Sequence, residues 1–171
     1  LYAALLVLIV FAGCAGAPDL QVSEENTTSS HNITQQYLGS TNMTEQEWRE
    51  ELTDREYRIL WKAGTEVPYT GDLLEENRNG TYVTRGCGLP VFRSETKYES
   101  GTGWPSFYDV IEENVEYRED YKLGYKRIEV VSTCGEHLGH VFDDGPEPTG
   151  LRYCMNSAAL DFIPDNQTEE K

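Results

Sequence analysis

The sequence predicts a mainly β domain, a small antiparallel barrel or sandwich preceded by short helices. Two observations carry this expectation. From residue 79 to residue 163, short runs rich in Val, Ile, Tyr, Phe and Thr alternate with Gly, Pro, Asn and Asp turn signals. Ahead of them, two Thr-x-x-Glu boxes each introduce large apolar residues at helical spacing.

The first box, Thr44-Glu45-Gln46-Glu47, opens a helix through Trp48 and Leu52. The second, Thr53-Asp54-Arg55-Glu56, opens one through Tyr57, Leu60 and Trp61. These five apolar residues are expected to face the core. Gly64-Thr65 ends the second helix, and an irregular loop is expected over 66–71. Asn79-Gly80 reads as a hairpin turn leading into a strand at 81–84. Strands at 89–92 and 97–98 follow. Gly101-Thr102-Gly103-Trp104-Pro105-Ser106-Phe107 is too rich in Gly and Pro for a regular element and suits a loop that fixes an indole. Residues 117–125 are charged and aromatic, 127–131 alternate as a strand, and 137–142 continue the β region. Asp143-Asp144-Gly145-Pro146 is a turn, and the last strands hold 152–156 and 160–163.

The chain of 171 residues has room for one domain plus tails. With 14 Lys and Arg against 30 Asp and Glu, its net charge of -16 repels nucleic acid and anionic headgroups, so neither is an expected partner. Eleven tyrosines and three tryptophans supply a real core. Four cysteines, Cys14, Cys87, Cys134 and Cys154, are too few and scattered for a disulfide-stapled miniprotein.

Residues 1–16 read as a signal-peptide apolar region ending in a lipobox-like Val10-Phe11-Ala12-Gly13-Cys14, which makes Cys14 the expected lipid anchor. The uncharged run is shorter than the ~20 residues that span a bilayer. Residues 17–43 are a polar linker, 44–165 the domain, and 166–171 an acidic tail. Asn26, Asn32, Asn42, Asn79 and Asn166 stand in Asn-x-Ser/Thr sequons. Together these place the domain on the outer face of the cell membrane, exported and tethered.

The stretch Gly150-Leu151-Arg152-Tyr153-Cys154-Met155-Asn156-Ser157-Ala158-Ala159 carries the chemistry. On a strand, Arg152, Cys154 and Asn156 share one face and Tyr153 and Met155 the other. A guanidinium beside a thiol favours the reactive thiolate, and an amide two residues on can donate to whatever the sulfur attacks. By itself the decapeptide also suits a buried cysteine in an ordinary core strand.

Four collinear blocks resemble the B-type methionine-R-sulfoxide reductases over about residues 48–163. They are Gly64-Thr65-Glu66, the Tyr98-Glu99-Ser100 run through Phe107, His137-Leu138-Gly139-His140-Val141-Phe142 with the following turn, and Gly150 to Ser157. The resemblance implies that Cys154 is the nucleophile and that Trp104 packs on the substrate's ε-methyl. It implies that His137, His140, Arg152 and Asn156 form the catalytic surround, with Phe142 and Asp144 on the substrate. In such chemistry a thiolate attacks the sulfoxide sulfur, an acid protonates its oxygen, and cysteine is left as sulfenic acid. It implies no bound cofactor: an external thiol, thioredoxin-like or a dithiol, is the expected reductant. The expected partners are oxidised protein methionine and that reductant, acting on a monomer.

Two departures from the family pattern stand out. Many members bind structural zinc through two Cys-x-x-Cys pairs, yet Thr84 and Val131 replace the first cysteine of each, leaving Cys87 and Cys134. Thr102 stands where many zinc-free members place a resolving cysteine. The remaining cysteines, whose counterparts converge on one metal, are therefore expected to form a structural disulfide in an oxidising compartment. Two alternatives are a catalytically inactive surface binding glycoprotein and a zinc-binding domain using Cys87, Cys134, His137 and His140.

Overall fold

The computed structural model describes residues 43–165. The apolar run, Cys14, the linker through Asn42, the sequons Asn26, Asn32 and Asn42, and the tail with Asn166 lie outside the described residues. Two helices open the domain, α1 (Glu45–Glu51) and α2 (Asp54–Lys62). Both start as their boxes require. The Glu47 carboxylate accepts from Thr44 N at 2.6 Å and the Glu56 carboxylate from Thr53 N at 2.8 Å, while each threonine hydroxyl accepts from the glutamate's own N. Each box thus satisfies two donors that a helix start leaves orphaned. Ile59 and Leu60 of α2 enter the main core, while Trp48 and Tyr57 pack with Cys87 in a second cluster.

Nine strands follow: β1 (Gly80–Thr84), β2 (Pro90–Arg93), β3 (Lys97–Tyr98), β4 (Ser106–Phe107), β5 (Val115–Asp120), β6 (Arg127–Ser132), β7 (His137–Phe142), β8 (Arg152–Met155) and β9 (Leu160–Pro164). They form a three-stranded sheet, β2-β1-β9, and a six-stranded sheet, β3-β4-β8-β7-β6-β5. All pairings are antiparallel. The fold is mainly β, as the turn-punctuated runs indicate.

Three details differ from the sequence expectation. Asn79-Gly80 makes no hairpin, because residues 72–78 carry acidic and amide groups without strand alternation and form turns instead; β1 pairs with β9, the last strand. The Gly/Pro-rich segment ends in a short strand, β4, because Phe107 is drawn into the core, where it stacks on Phe92 with centroids 4.3 Å apart. The charged region at 117–125 divides into the end of β5 and the turn to β6.

Register creates the site. Cys154 on β8 lies opposite Ser106 of β4 on one side and His140 of β7 on the other, and His140 in turn lies opposite Glu129 of β6. Directly opposed residues bring their Cβ atoms to about 5 Å. Tyr153 and Met155 point the other way into the core, so β8 shows an apolar face inward and its chemical face outward. Gly139 lets β7 pass against the Cys154 carbonyl, on which a Cβ would collide.

At one pole, Cys87 is paired with Cys134, their Cα atoms 6.7 Å apart. Beside the pair, Glu136 is completely buried. Its Oε1 accepts from Gly86 N (2.8 Å) and Cys87 N (3.1 Å), and its Oε2 from the Ser132 hydroxyl (2.9 Å). This carboxylate ties the β1–β2 turn to the β6–β7 turn. Cys87, Cys134 and Glu136 are the only potential metal donors that cluster among the described residues. They fall short of the four donors that structural zinc takes. Thr84 is engaged with Leu89 N (3.2 Å) and Val131 lies in the core. Neither His137 nor His140 belongs to the cluster, which removes the geometric basis of the Cys/His zinc alternative.

Closing a loop of 47 residues removes chain entropy worth about 4 kcal/mol from the unfolded state. Cys134→Ser should lower the unfolding free energy by that order, read by urea titration. A midpoint unchanged from wild type would leave the Glu136 clamp as the sole tie at this pole.

Candidate active site

Cys154 is partly exposed and is the only unpaired cysteine among the described residues. Burial raises its pKa above the ordinary 9.0; the Thr102 hydroxyl and then the Arg152 guanidinium oppose this without reversing it. Arg152 thus favours the thiolate, as expected of a guanidinium beside a thiol, but by less than burial opposes it. Arg152 Nε and Nη2 donate to the two oxygens of Asp144 at 2.8 and 2.9 Å, and the guanidinium lies 4.4 Å from the centre of the Phe142 ring. A bidentate carboxylate neutralises much of the field the sulfur would otherwise feel.

His140 is buried, with Nε2 2.8 Å from Asp120 Oδ2. Burial lowers its pKa below 6.5, and the bond to Asp120 opposes this. Asp120 also accepts from Lys122 N (2.8 Å) and Arg127 Nη2 (2.5 Å); the Lys122 bond leads in holding its pKa well below the usual carboxylate range. His137 stands behind, with Nδ1 2.6 Å from Glu129 and the two imidazole centroids 5.4 Å apart. The bond from His137 lowers the Glu129 pKa. Nε2 of His137 is buried and meets no hydrogen-bond partner.

Between these groups lies a cavity of about 110 Å³ whose walls include Trp104, His140, Phe142, Cys154 and Asn156. It is well below the ~300 Å³ of small-molecule pockets, a size for the tip of a side chain. Five of the residues singled out from sequence therefore share one wall system. His137 backs His140 rather than lining the cavity, and Arg152 with Asp144 forms an ion pair outside it, the Asp144 side chain 60% exposed. Asn156 is tied at both ends: Oδ1 accepts from Glu66 N (3.0 Å) and Nδ2 donates to the Leu138 carbonyl (3.1 Å). Only its second amide hydrogen remains for another acceptor, which narrows the role foreseen for it.

The residue the sequence reading did not single out is Glu66, only 3% exposed. Its carbonyl accepts from Trp104 Nε1 (3.2 Å) and its N–H holds Asn156. Its carboxylate accepts from Ser157 N (2.6 Å) and Ala158 N (3.0 Å), just past β8, and meets Arg55 at 3.0 Å. One residue thus orients the indole, the amide and the end of β8. Its place in the Gly64-Thr65-Glu66 block was the available signal. Asp120 and Glu129, which hold the imidazoles, and Arg127, which holds Asp120, lie on strands whose alternation reads only as ordinary surface charge. A thiol, a carboxylate-held imidazole and an aromatic wall can present nucleophile, acid and apolar contact to one small group.

Glu66→Ala should lower the unfolding free energy by about 3–5 kcal/mol, since it strands buried donors. Arg55→Ala, which removes the partly exposed partner, should cost less than about 1 kcal/mol. Urea titration of both variants checks this; equal small losses would deny Glu66 its central place.

The family model described as the SelR domain matches residues 52–164. Peptide methionine sulfoxide reductase MsrB of Alteromonas mediterranea is 49% identical over 131 residues, covering 75% of this chain and 92% of the relative. The protein of the same name from Leifsonia xyli subsp. xyli is 54% identical over 127 residues, with coverages of 72% and 91%. That of Methanosarcina mazei is 52% identical over 127 residues, with coverages of 73% and 91%.

Proposed function

The chain belongs to the SelR-domain family of B-type peptide methionine sulfoxide reductases, and we propose that Cys154 is the nucleophile with which it works. The protein is an oxidoreductase that reduces peptide methionine-R-sulfoxide at the expense of thiols. The observation that carries the residue assignment is the meeting of Cys154, His140 and Trp104 around a cavity of about 110 Å³.

In this reading Trp104 and Phe142 receive the methyl group of the sulfoxide, and the Cys154 thiolate attacks its sulfur. His140 rather than His137 delivers the proton to the oxygen, because His140 borders the cavity and His137 does not. With Nε2 committed to Asp120, its Nδ1 is the nitrogen left to act. The oxygen passes to the cysteine sulfur: the sulfoxide is reduced to methionine and Cys154 is oxidised to sulfenic acid. One external thiol condenses with the sulfenic acid, releasing water, and a second displaces it to restore the thiol. An external donor, thioredoxin-like or a dithiol, is invoked because Cys87 and Cys134 are paired with each other. We take the domain to work as a monomer and without structural zinc, the second of these supported by the incomplete donor set at the Cys87 pole.

The inactive-glycoprotein alternative is disfavoured by family membership. Export and anchoring through Cys14 remain proposals that rest on the apolar run of residues 1–13 and the small residues before Cys14. Cys14→Ser should shift the domain from membranes to the medium. Asn79 is exposed and could carry a glycan there.

Cys154→Ser should abolish reduction of a peptide methionine-R-sulfoxide while leaving the fold intact; full turnover would sink the assignment. The pH profile is a second test. Thiolate and imidazolium are the reverse of the forms that burial favours, since Cys154 is pushed above 9.0 and His140 below 6.5. Between the two pKa values the gain in thiolate and the loss of imidazolium cancel. The single-turnover rate should therefore be flat there, fall on the acid side as thiolate is lost, and fall on the alkaline side as imidazolium is lost. A single ionisation limb between pH 6.5 and 9.0 would contradict this pairing.

A further inference from the structure

We propose that Thr102 is the hydrogen-bond donor that stabilises the Cys154 thiolate, aimed and polarised by a hydroxyl chain through Ser100 to Ser106. This rests on the assignment of Cys154 as nucleophile and adds a positioning residue at the place where related chains carry a second thiol.

The chain is continuous. Thr102 Oγ1 lies 3.9 Å from Cys154 Sγ, Ser100 Oγ lies 2.8 Å from Thr102 Oγ1, and Ser106 Oγ lies 2.7 Å from Ser100 Oγ. Ser106 can also donate to the Trp104 carbonyl at 3.2 Å. Each hydroxyl has one hydrogen, so the chain has two self-consistent settings. When the sulfur is protonated, S–H points to Thr102, Thr102 to Ser100, Ser100 to Ser106, and Ser106 to the carbonyl. When the thiol ionises, its S–H bond breaks, the proton passes to water, and no electrons change hands. All three hydroxyls then reverse, and Thr102 donates to the sulfur anion. Linked hydroxyls polarise one another, which strengthens the terminal bond.

The backbone holds Thr102 in place for this. Gly101 (φ 72) and Gly103 (φ 91) flank it in the left-handed region. Tyr69 grips both: its hydroxyl donates to the Gly101 carbonyl (2.6 Å) and its N–H to the Gly103 carbonyl (2.7 Å). Tyr69 itself has φ 64, a strained setting for a bulky residue that this double grip accounts for. The other groups around the sulfur are otherwise engaged. On its own strand Arg152 is bound to Asp144, across β7 His140 is bound to Asp120, and Tyr98 of β3 is uncharged at neutral pH. Thr102 Oγ1 lies within hydrogen-bonding reach of the sulfur, and Arg152 and Ser106 act on the thiol in the same direction. Burial is the main influence on the thiol, and Thr102 the foremost of those opposing it.

The test is alkylation of Cys154 by iodoacetamide as a function of pH, without sulfoxide present. Thr102→Val, close in shape but without the hydroxyl, should slow alkylation at neutral pH about tenfold and move the titration upward. Thr102→Ser should keep the wild-type profile, and Ser100→Ala should move it part of the way. Circular dichroism and the thermal midpoint confirm that each variant is folded. A wild-type profile in Thr102→Val would overturn the inference. So would equal shifts in the valine and serine variants, which would trace the effect to packing. Should Cys154→Ser retain reductase activity while Thr102→Val still shifts the titration, the nucleophile assignment fails and the hydroxyl chain stands.

Discussion

Glu66 is the constraint on which the site depends. The loop after α2 has no regular structure, yet it must hold an indole on one side and the end of β8 on the other. A single buried residue does both, with its main chain on Trp104 and Asn156 and its carboxylate on Ser157 and Ala158. An unsatisfied carboxylate in that position would be expensive to bury, so its bonds and its geometry are inseparable.

Around it, the charged groups are held in committed pairs. Arg152 with Asp144, His140 with Asp120, and His137 with Glu129 each satisfy a partner before any substrate arrives. The sulfur is therefore left in a partly buried setting, where burial works against its ionisation and Thr102 and Arg152 work for it. Register sets Cys154 and His140 directly opposite one another on adjacent strands.

Away from the cavity lining, the Cys87–Cys134 pair and Glu136 connect the same two turns. Covalent connection and buried hydrogen bonds act by different means. The first restricts the unfolded chain, and the second satisfies turn N–H groups in the folded one. The pair lies on the second core cluster with Trp48 and Tyr57, so α1 is packed onto this tie.

Much was legible in the sequence because it depends on local chemistry. The two capping boxes, the alternation that turns Tyr153 and Met155 inward, and the turn signals between strands act over a few residues and need no partner to be read. The motif blocks pointed to Cys154, Trp104 and His140, and the arrangement around the cavity brings these three together. What the sequence could not show is long-range. That β1 pairs with β9, that Ser106, Cys154, His140 and Glu129 fall in one row, and that Arg152 is spent on Asp144 all follow from register and packing across the chain. Thr102 read only as a missing thiol, because a hydroxyl becomes a donor to sulfur only when a tertiary fold brings the two together. Local propensity determined the elements, while burial and cross-strand distance decided which groups are charged, paired and aimed.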